Sequence, residues 1–151
     1  MVELELFKEE YRGDCLRIAA ENYDSTRALT LDCELSEMFS NSSFAPKFFV
    51  LRKDSVTIGF ACYTISWMDY GVFEIGWVNI DRAHQGNRLG EYLVTRIIEE
   101  LKFKRARVIL LFASKAVTLY DRLGFQRLAQ FGSDWLMSLS FAHPVYEKYI
   151  A

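Results

Sequence analysis

The sequence predicts a mixed α/β fold, one sheet with helices on both faces, and three observations predict it. Hydrophobic periodicity gives the order strand, helix, helix, three strands, helix, strand, helix, two strands. The strands cluster ahead of the longest helix instead of alternating with helices, which favours a mixed sheet over a regular parallel one. The 151 residues, 51% of them hydrophobic, suffice for the core of one domain spanning 1–151 and are too few for two comfortable ones.

Val2 to Phe7 alternates apolar with charged residues and reads as the first strand. Cys15, Ile18 and Ala19 fall at helical spacing within Tyr11 to Asn22, a helix starting near Gly13 or Asp14. A shorter second helix is read from Leu31 to Phe39. Asn41 to Pro46, with two serines and a proline, is the clearest loop. Phe48 to Lys53 and Val56 to Ser66 sit a hairpin's length apart, and Trp67 to Gly71 turns the chain into a strand from Val72 to Ile80. Leu89, Leu93, Ile97 and Leu101 then fall four apart, one stripe on a helix from about Leu89 to Phe103 that packs on the sheet. Val108 to Phe112 is uninterrupted apolar sequence, as a buried strand requires. Lys115 to Arg122 reads as a short helix ended by Gly124. Phe125 to Phe131 and Trp135 to Phe141 read as a closing pair of strands, with Trp135, Met137, Leu139 and Phe141 on one face. His143 to Ala151 receives no assignment.

The junction from Ala83 to Leu93, A-H-Q-G-N-R-L-G-E-Y-L, joins a strand to a helix through a loop with two glycines. Exposed N–H groups at a helix start, approached closely through glycine, suit a pyrophosphate. Alone the pattern is weak, since a tight connection uses the same residues. Downstream, however, Ala116 to Phe125 reads A-V-T-L-Y-D-R-L-G-F. With these two segments the chain resembles the GNAT superfamily of N-acetyltransferases, which carries (R/Q)-x-x-G-x-(G/A) and then A-x-x-L-Y-x-x-L-G-F. Residues 72–125 carry the resemblance; the earlier part matches in element order and length.

The resemblance implies the GNAT fold, a mixed, mostly antiparallel central sheet of six to seven strands with helices on both faces. It implies acetyl-CoA as co-substrate and direct transfer of the acetyl group to a primary amine of a small molecule or protein. It assigns the pyrophosphate to Gln85, Gly86, Asn87, Arg88, Leu89, Gly90 and Glu91. Backbone groups of Val78, Asn79 and Ile80, in the strand F-E-I-G-W-V-N-I, are assigned to the acetyl carbonyl and the pantetheine amides. Two positions depart from the pattern. Arg88 stands where the first glycine belongs, and its side chain either crowds the phosphate or adds a bidentate contact to it; the contact is favoured because Gly86 supplies flexibility next door. Ala113 stands where many relatives carry an asparagine that touches the pantetheine, a role Ser114 fills in part.

Tyr120 matches the family's tyrosine and is the candidate acid, donating to the departing sulfur; the alternative is a core aromatic. Glu74 lies mid-strand in an apolar run, eleven residues before Gln85, and shares a face with Val78 by period two. It is the candidate base, directly or through water, or else a structural carboxylate paired with an arginine. His84 shapes the loop.

Residues 1–45 hold ten acids against four bases, and the rest holds 14 bases against 10 acids, leaving a net charge of −2. Residues 22–46 and 64–71 are expected to line the acceptor pocket, as acceptor sites on such scaffolds come from variable helices and loops. Asp24, Asp32, Glu34 and Glu37 there point to a cationic acceptor, with Tyr23, Phe39, Trp67 and Tyr70 as an aromatic wall. Nucleic acid is not expected, because the basic stretch Lys102 to Arg107 sits at a helix end of an acidic chain. No metal is expected from two distant histidines. Cys15, Cys33 and Cys62 read as buried small hydrophobes. With no long apolar run and an N-terminus alternating charge with hydrophobe, the chain is expected to be cytoplasmic, with no membrane partner. A homodimer through the C-terminal strands is compatible with the resemblance. The competing function is a GNAT-shaped module that binds CoA or a partner without catalysis.

Overall fold

The computed structural model describes residues 1–141; the unassigned tail from His143 onward lies outside them. In chain order the elements are β1 (Val2–Leu6), α1 (Arg12–Asn22), α2 (Ser25–Glu37), β2 (Lys47–Lys53), β3 (Val56–Ile65), β4 (Val72–Ile80), α3 (Leu89–Phe103), β5 (Val108–Ala113), α4 (Val117–Arg122), β6 (Gln126–Phe131) and β7 (Asp134–Ser140). One seven-stranded sheet has the order β1-β2-β3-β4-β5-β7-β6. The β4–β5 pair is parallel and the other neighbouring pairs are antiparallel. This is the mixed, mostly antiparallel sheet the sequence implies.

Helices cover both faces. On one, Leu93, Val94, Ile97, Ile98 and Leu101 of α3 pack with Tyr120 of α4 against Phe49, Ala61, Ile75, Ile109 and Met137 of the strands. On the other, Cys15, Ile18 and Ala19 of α1 and Leu31 and Leu35 of α2 pack on Phe48, Val50, Phe60 and Cys62.

Three expectations change here. Helix α2 starts at Ser25, six residues earlier than its periodicity shows, and ends at Glu37 rather than Phe39. Asp24 caps it, accepting the Arg27 N–H at 2.8 Å. Apolar burial begins only at Leu31, so the polar first turns leave no periodic trace. Strand β5 is not buried on both faces: Phe112 is 63% exposed, because the core beneath α1 and α2 ends at β4. Cys15 and Cys62 are buried, but Cys33 is exposed on α2.

Strand β4 carries the feature that shapes the site. Phe60 pairs with Asn79 and Cys62 with Gly76, so β4 spends one more residue than β3 over the same stretch. The bulge falls at Trp77, whose φ is 55°. It breaks period two: Phe73, Ile75 and Val78 all pack against the α3 core, and Glu74 alternates to the other side of the sheet. Glu74 and Val78 therefore do not share a face. Already ahead of the bulge β4 parts from β5, since their pairing runs only over Val72–Val108, Phe73–Ile109 and Glu74–Leu110.

Candidate active site

The parting of β4 and β5 opens a gap in the sheet. Its middle is a cavity of about 390 Å³ lined by Asn22, Tyr23, Val78, Asn79, Lys115 and Tyr120, among others. One end continues past Ile80, Gly90 and Leu119 to the loop before α3. The other is lined by Arg27, Trp77, Ser114, Tyr120 and Asp134. Val78, Asn79, Ile80, Gln85, Gly86, Arg88, Leu89, Gly90, Glu91, Ser114 and Tyr120 are thus brought to one continuous groove.

The loop is held from beneath. Asp81 accepts the Ala83 N–H at 3.3 Å and starts a single 3-10 turn, Arg82–His84. Asn87 Nδ2 donates to the His84 backbone carbonyl at 3.3 Å. Gln85 Nε2 donates to the Ile80 carbonyl at 2.9 Å and to Asn22 Oδ1 at 3.3 Å. Asn22 Nδ2 donates to the same carbonyl and to Asn79 Oδ1, each at 3.0 Å. The Gln85 side chain therefore fastens the loop to the end of β4, and the Ile80 carbonyl is occupied by that fastening.

Arg88, immediately before α3, has φ 59° and ψ 22°, the left-handed region that favours glycine. This backbone explains why a glycine suits the position. The first helical bond of α3 runs from the Tyr92 N–H to the Arg88 carbonyl at 3.1 Å. The N–H groups of Leu89, Gly90 and Glu91 consequently have no acceptor within the helix, and the helix dipole adds positive potential there. The Glu91 carboxylate is engaged by Arg122 of α4 at 3.4 Å. Three free donors beside a side-chain-free Gly90 fit a pyrophosphate. Replacing Arg88 by Gly should relieve the left-handed strain and raise stability by about 0.5–1 kcal/mol, or roughly 1–4 °C in Tm, read by thermal melting. A lower Tm in that variant would show that the side chain contributes more than its backbone costs.

Tyr120, 6% exposed, stands between the two halves of the groove with its ring edge-on to Phe125 at 5.6 Å. No side chain among the described residues hydrogen-bonds its hydroxyl. Burial, and secondarily Tyr23, pushes its pKa well above the ordinary phenol value of 10.0, so the phenol stays protonated through the neutral range. Asn79 is 4% exposed, and its Nδ2 has no partner among the described residues. Glu74 is not brought to the groove: it is exposed at the last rung where β4 and β5 still pair.

The acceptor side departs from expectation most. Asp24 caps its own helix, Asp32 pairs with Arg12 at 2.6 Å, and Glu34 accepts the Trp77 indole N–H at 3.0 Å. None of these, nor Glu37, lines the groove. Of the expected aromatic wall only Tyr23 is in place; Trp67 stacks on Phe44 at 4.4 Å and Phe39 lies against Phe7 at 6.2 Å. Tyr70 lines a separate cavity beside Tyr63 and Lys104. Asn22 and Arg27 fall within the 22–46 segment expected to line the pocket, though neither was singled out, and sequence reading missed Trp77, Lys115 and Leu119. Only Leu119, inside the A-V-T-L-Y segment, carried a signal that could have found it. Among the described residues, no cluster of three or more His, Cys, Asp or Glu could hold a metal, and no helix is long and apolar enough to cross a membrane.

The sheet is thus split between its two parallel strands, with phosphate-type donors at one mouth of the split. The chain belongs to the Acetyltransferase (GNAT) family, whose sequence pattern matches residues 5–125. A GNAT-family structure from Desulfovibrio desulfuricans superposes with a TM-score of 0.83 at 16% identity, over 94% of this chain and 100% of that one. The PaiA N-acetyltransferase from Thermoplasma acidophilum, in complex with coenzyme A, gives 0.77 at 18% identity, over 93% and 99%. The ribosomal-protein-S18-alanine N-acetyltransferase from Escherichia coli gives 0.76 at 16%, over 95% and 97%. At such identities the likeness speaks for the fold. No curated protein matches the chain by sequence comparison.

Proposed function

We propose that the chain transfers the acetyl group of acetyl-CoA directly to a primary amine of a small molecule or protein. The observation that carries this reading is the gap between β4 and β5, continuous from the start of α3 to Tyr120. The N–H groups of Leu89, Gly90 and Glu91, with Arg88 beside them, would hold the pyrophosphate. Backbone of Val78 and Asn79, together with Ser114, lies along the gap where the pantetheine would pass, and N–H donors there stabilise the oxyanion that amine attack creates. When bound, acetyl-CoA supplies the acyl group as a thioester.

The chain's part is to position the amine and manage its protons. Nitrogen attacks the acyl carbon, a C–N bond forms, and the C–S bond breaks. Tyr120, kept neutral by burial, donates to the departing sulfur. The proton leaving nitrogen passes to water, from which Tyr120 regains its own, and Glu74, exposed outside the groove, accepts only by way of that water.

Thermal melting with and without CoA tests the reading. CoA at about a hundred times its Kd should stabilise the native chain by about 2.7 kcal/mol, or roughly 5–10 °C. No rise at millimolar CoA would remove the transferase reading and leave a GNAT-shaped partner-binding module.

A further inference from the structure

The Arg27 guanidinium lies over the Trp77 ring at 4.7 Å and over the Tyr23 ring at 5.3 Å. The two rings meet edge-on at 6.2 Å. Trp77 is itself fixed by the β4 bulge, with its indole N–H on Glu34 at 3.0 Å. Arg27 is therefore seated on a platform built at the reacting end of the gap, in the half that also contains Tyr120. Among the described residues no carboxylate pairs with this guanidinium. Asp24 accepts only the Arg27 backbone N–H, and Glu34 is turned to Trp77. A guanidinium held over aromatic rings by a cation–π contact spends none of its N–H donors on a carboxylate, and its fork suits a bidentate one. The other charges lining this half are Lys115 and Asp134, so the lining is net positive, the reverse of what a cationic acceptor needs.

We propose that Arg27 binds a carboxylate on the acceptor, so that the chain acetylates small molecules carrying an amine and a carboxylate together, amino acids and their analogues. This rests on the transferase reading. Arg27 holds the carboxylate on the Trp77–Tyr23 platform, and the amine of the same molecule is thereby directed along the gap toward Val78 and Tyr120.

The test compares α-, β- and γ-amino acids with the amines left when their carboxyl group is removed, all with acetyl-CoA and the full chain. The best acid should exceed its matched amine in kcat/KM by about tenfold or more. Arg27→Gln should erase most of that preference by raising KM for the acids with little change in kcat, and should cost the matched amines far less than the acids. Arg27→Lys, which keeps the charge without the fork, should restore part of it. A second readout needs no turnover: calorimetric binding of the best acid to the CoA-bound chain should be lost in Arg27→Gln. Equal turnover of acids and matched amines by the parent overturns the assignment, and so does an Arg27→Gln loss that falls equally on both. A chain that melts unchanged with CoA overturns the transferase reading and this one with it. A chain stabilised by CoA that transfers without regard to carboxylate overturns only the role of Arg27.

Discussion

Tyr120→Phe is expected to lower the single-turnover rate of acetyl transfer about a hundredfold while leaving CoA-induced thermal stabilisation unchanged. The magnitude is that of losing a positioned proton donor. The separation of effects follows from geometry: phenylalanine keeps the ring edge-on to Phe125 and deletes only a hydroxyl that no described side chain bonds. The sign of the pH dependence is fixed by the direction of the shift. Burial raises the Tyr120 pKa above 10.0, so its proton remains in place up to and beyond that pH, and the parent should show no alkaline loss attributable to this group below pH 10. Single-turnover measurement is needed because slow product release would mask the chemical step. An unchanged rate in Tyr120→Phe would make the residue a core aromatic only. In the same assay Glu74→Gln should cost most near neutrality and lose its effect as pH rises and the free amine becomes abundant. That dependence distinguishes a proton acceptor from a structural carboxylate.

The parts of the site readable from sequence are those that are local in the chain. The α3 stripe, the loop from Gln85 to Gly90 and the Tyr120 segment each lie within a few turns of backbone, so spacing alone carries them. The bulge at Trp77 does not, because one inserted residue flips parity without altering composition, and a period-two reading of F-E-I-G-W-V-N-I then puts Glu74 and Val78 on one face. The acceptor side fails for a related reason. A count of acids between residues 22 and 46 cannot tell which are consumed locally, whereas Asp24 caps α2, Asp32 holds Arg12 and Glu34 holds Trp77. Arg27 acquires its place only when β4 brings Trp77 beneath it, a contact between residues fifty apart in sequence.

Gly59→Ala is expected to cost about 2–3 kcal/mol of stability, seen as a drop of roughly 5–10 °C in Tm, and to weaken CoA binding about tenfold or more. Gly59 lies on β3 opposite Ile80. A Cβ there would come within 2.8 Å of the Asn79 carbonyl and 2.7 Å of Ile80 Cδ1. A side-chain end can rotate aside, but the carbonyl belongs to the bulged strand and moves only with it. Displacing that strand carries the Ile80 carbonyl away from Gln85 and Asn22, which fasten the loop before α3. Strain on β3 would therefore reach the pyrophosphate donors without touching them. Gly13→Ala supplies the contrast, since a Cβ in α1 meets nothing within 4 Å and should stabilise through helix propensity by about 0.5–1 kcal/mol. Chemical denaturation and CoA titration of both variants read the two effects separately. If Gly59→Ala keeps the parent's stability, β3 and β4 are not in forced approach at this rung. If it is destabilised yet binds CoA as the parent does, the loop is fastened independently of the end of β4.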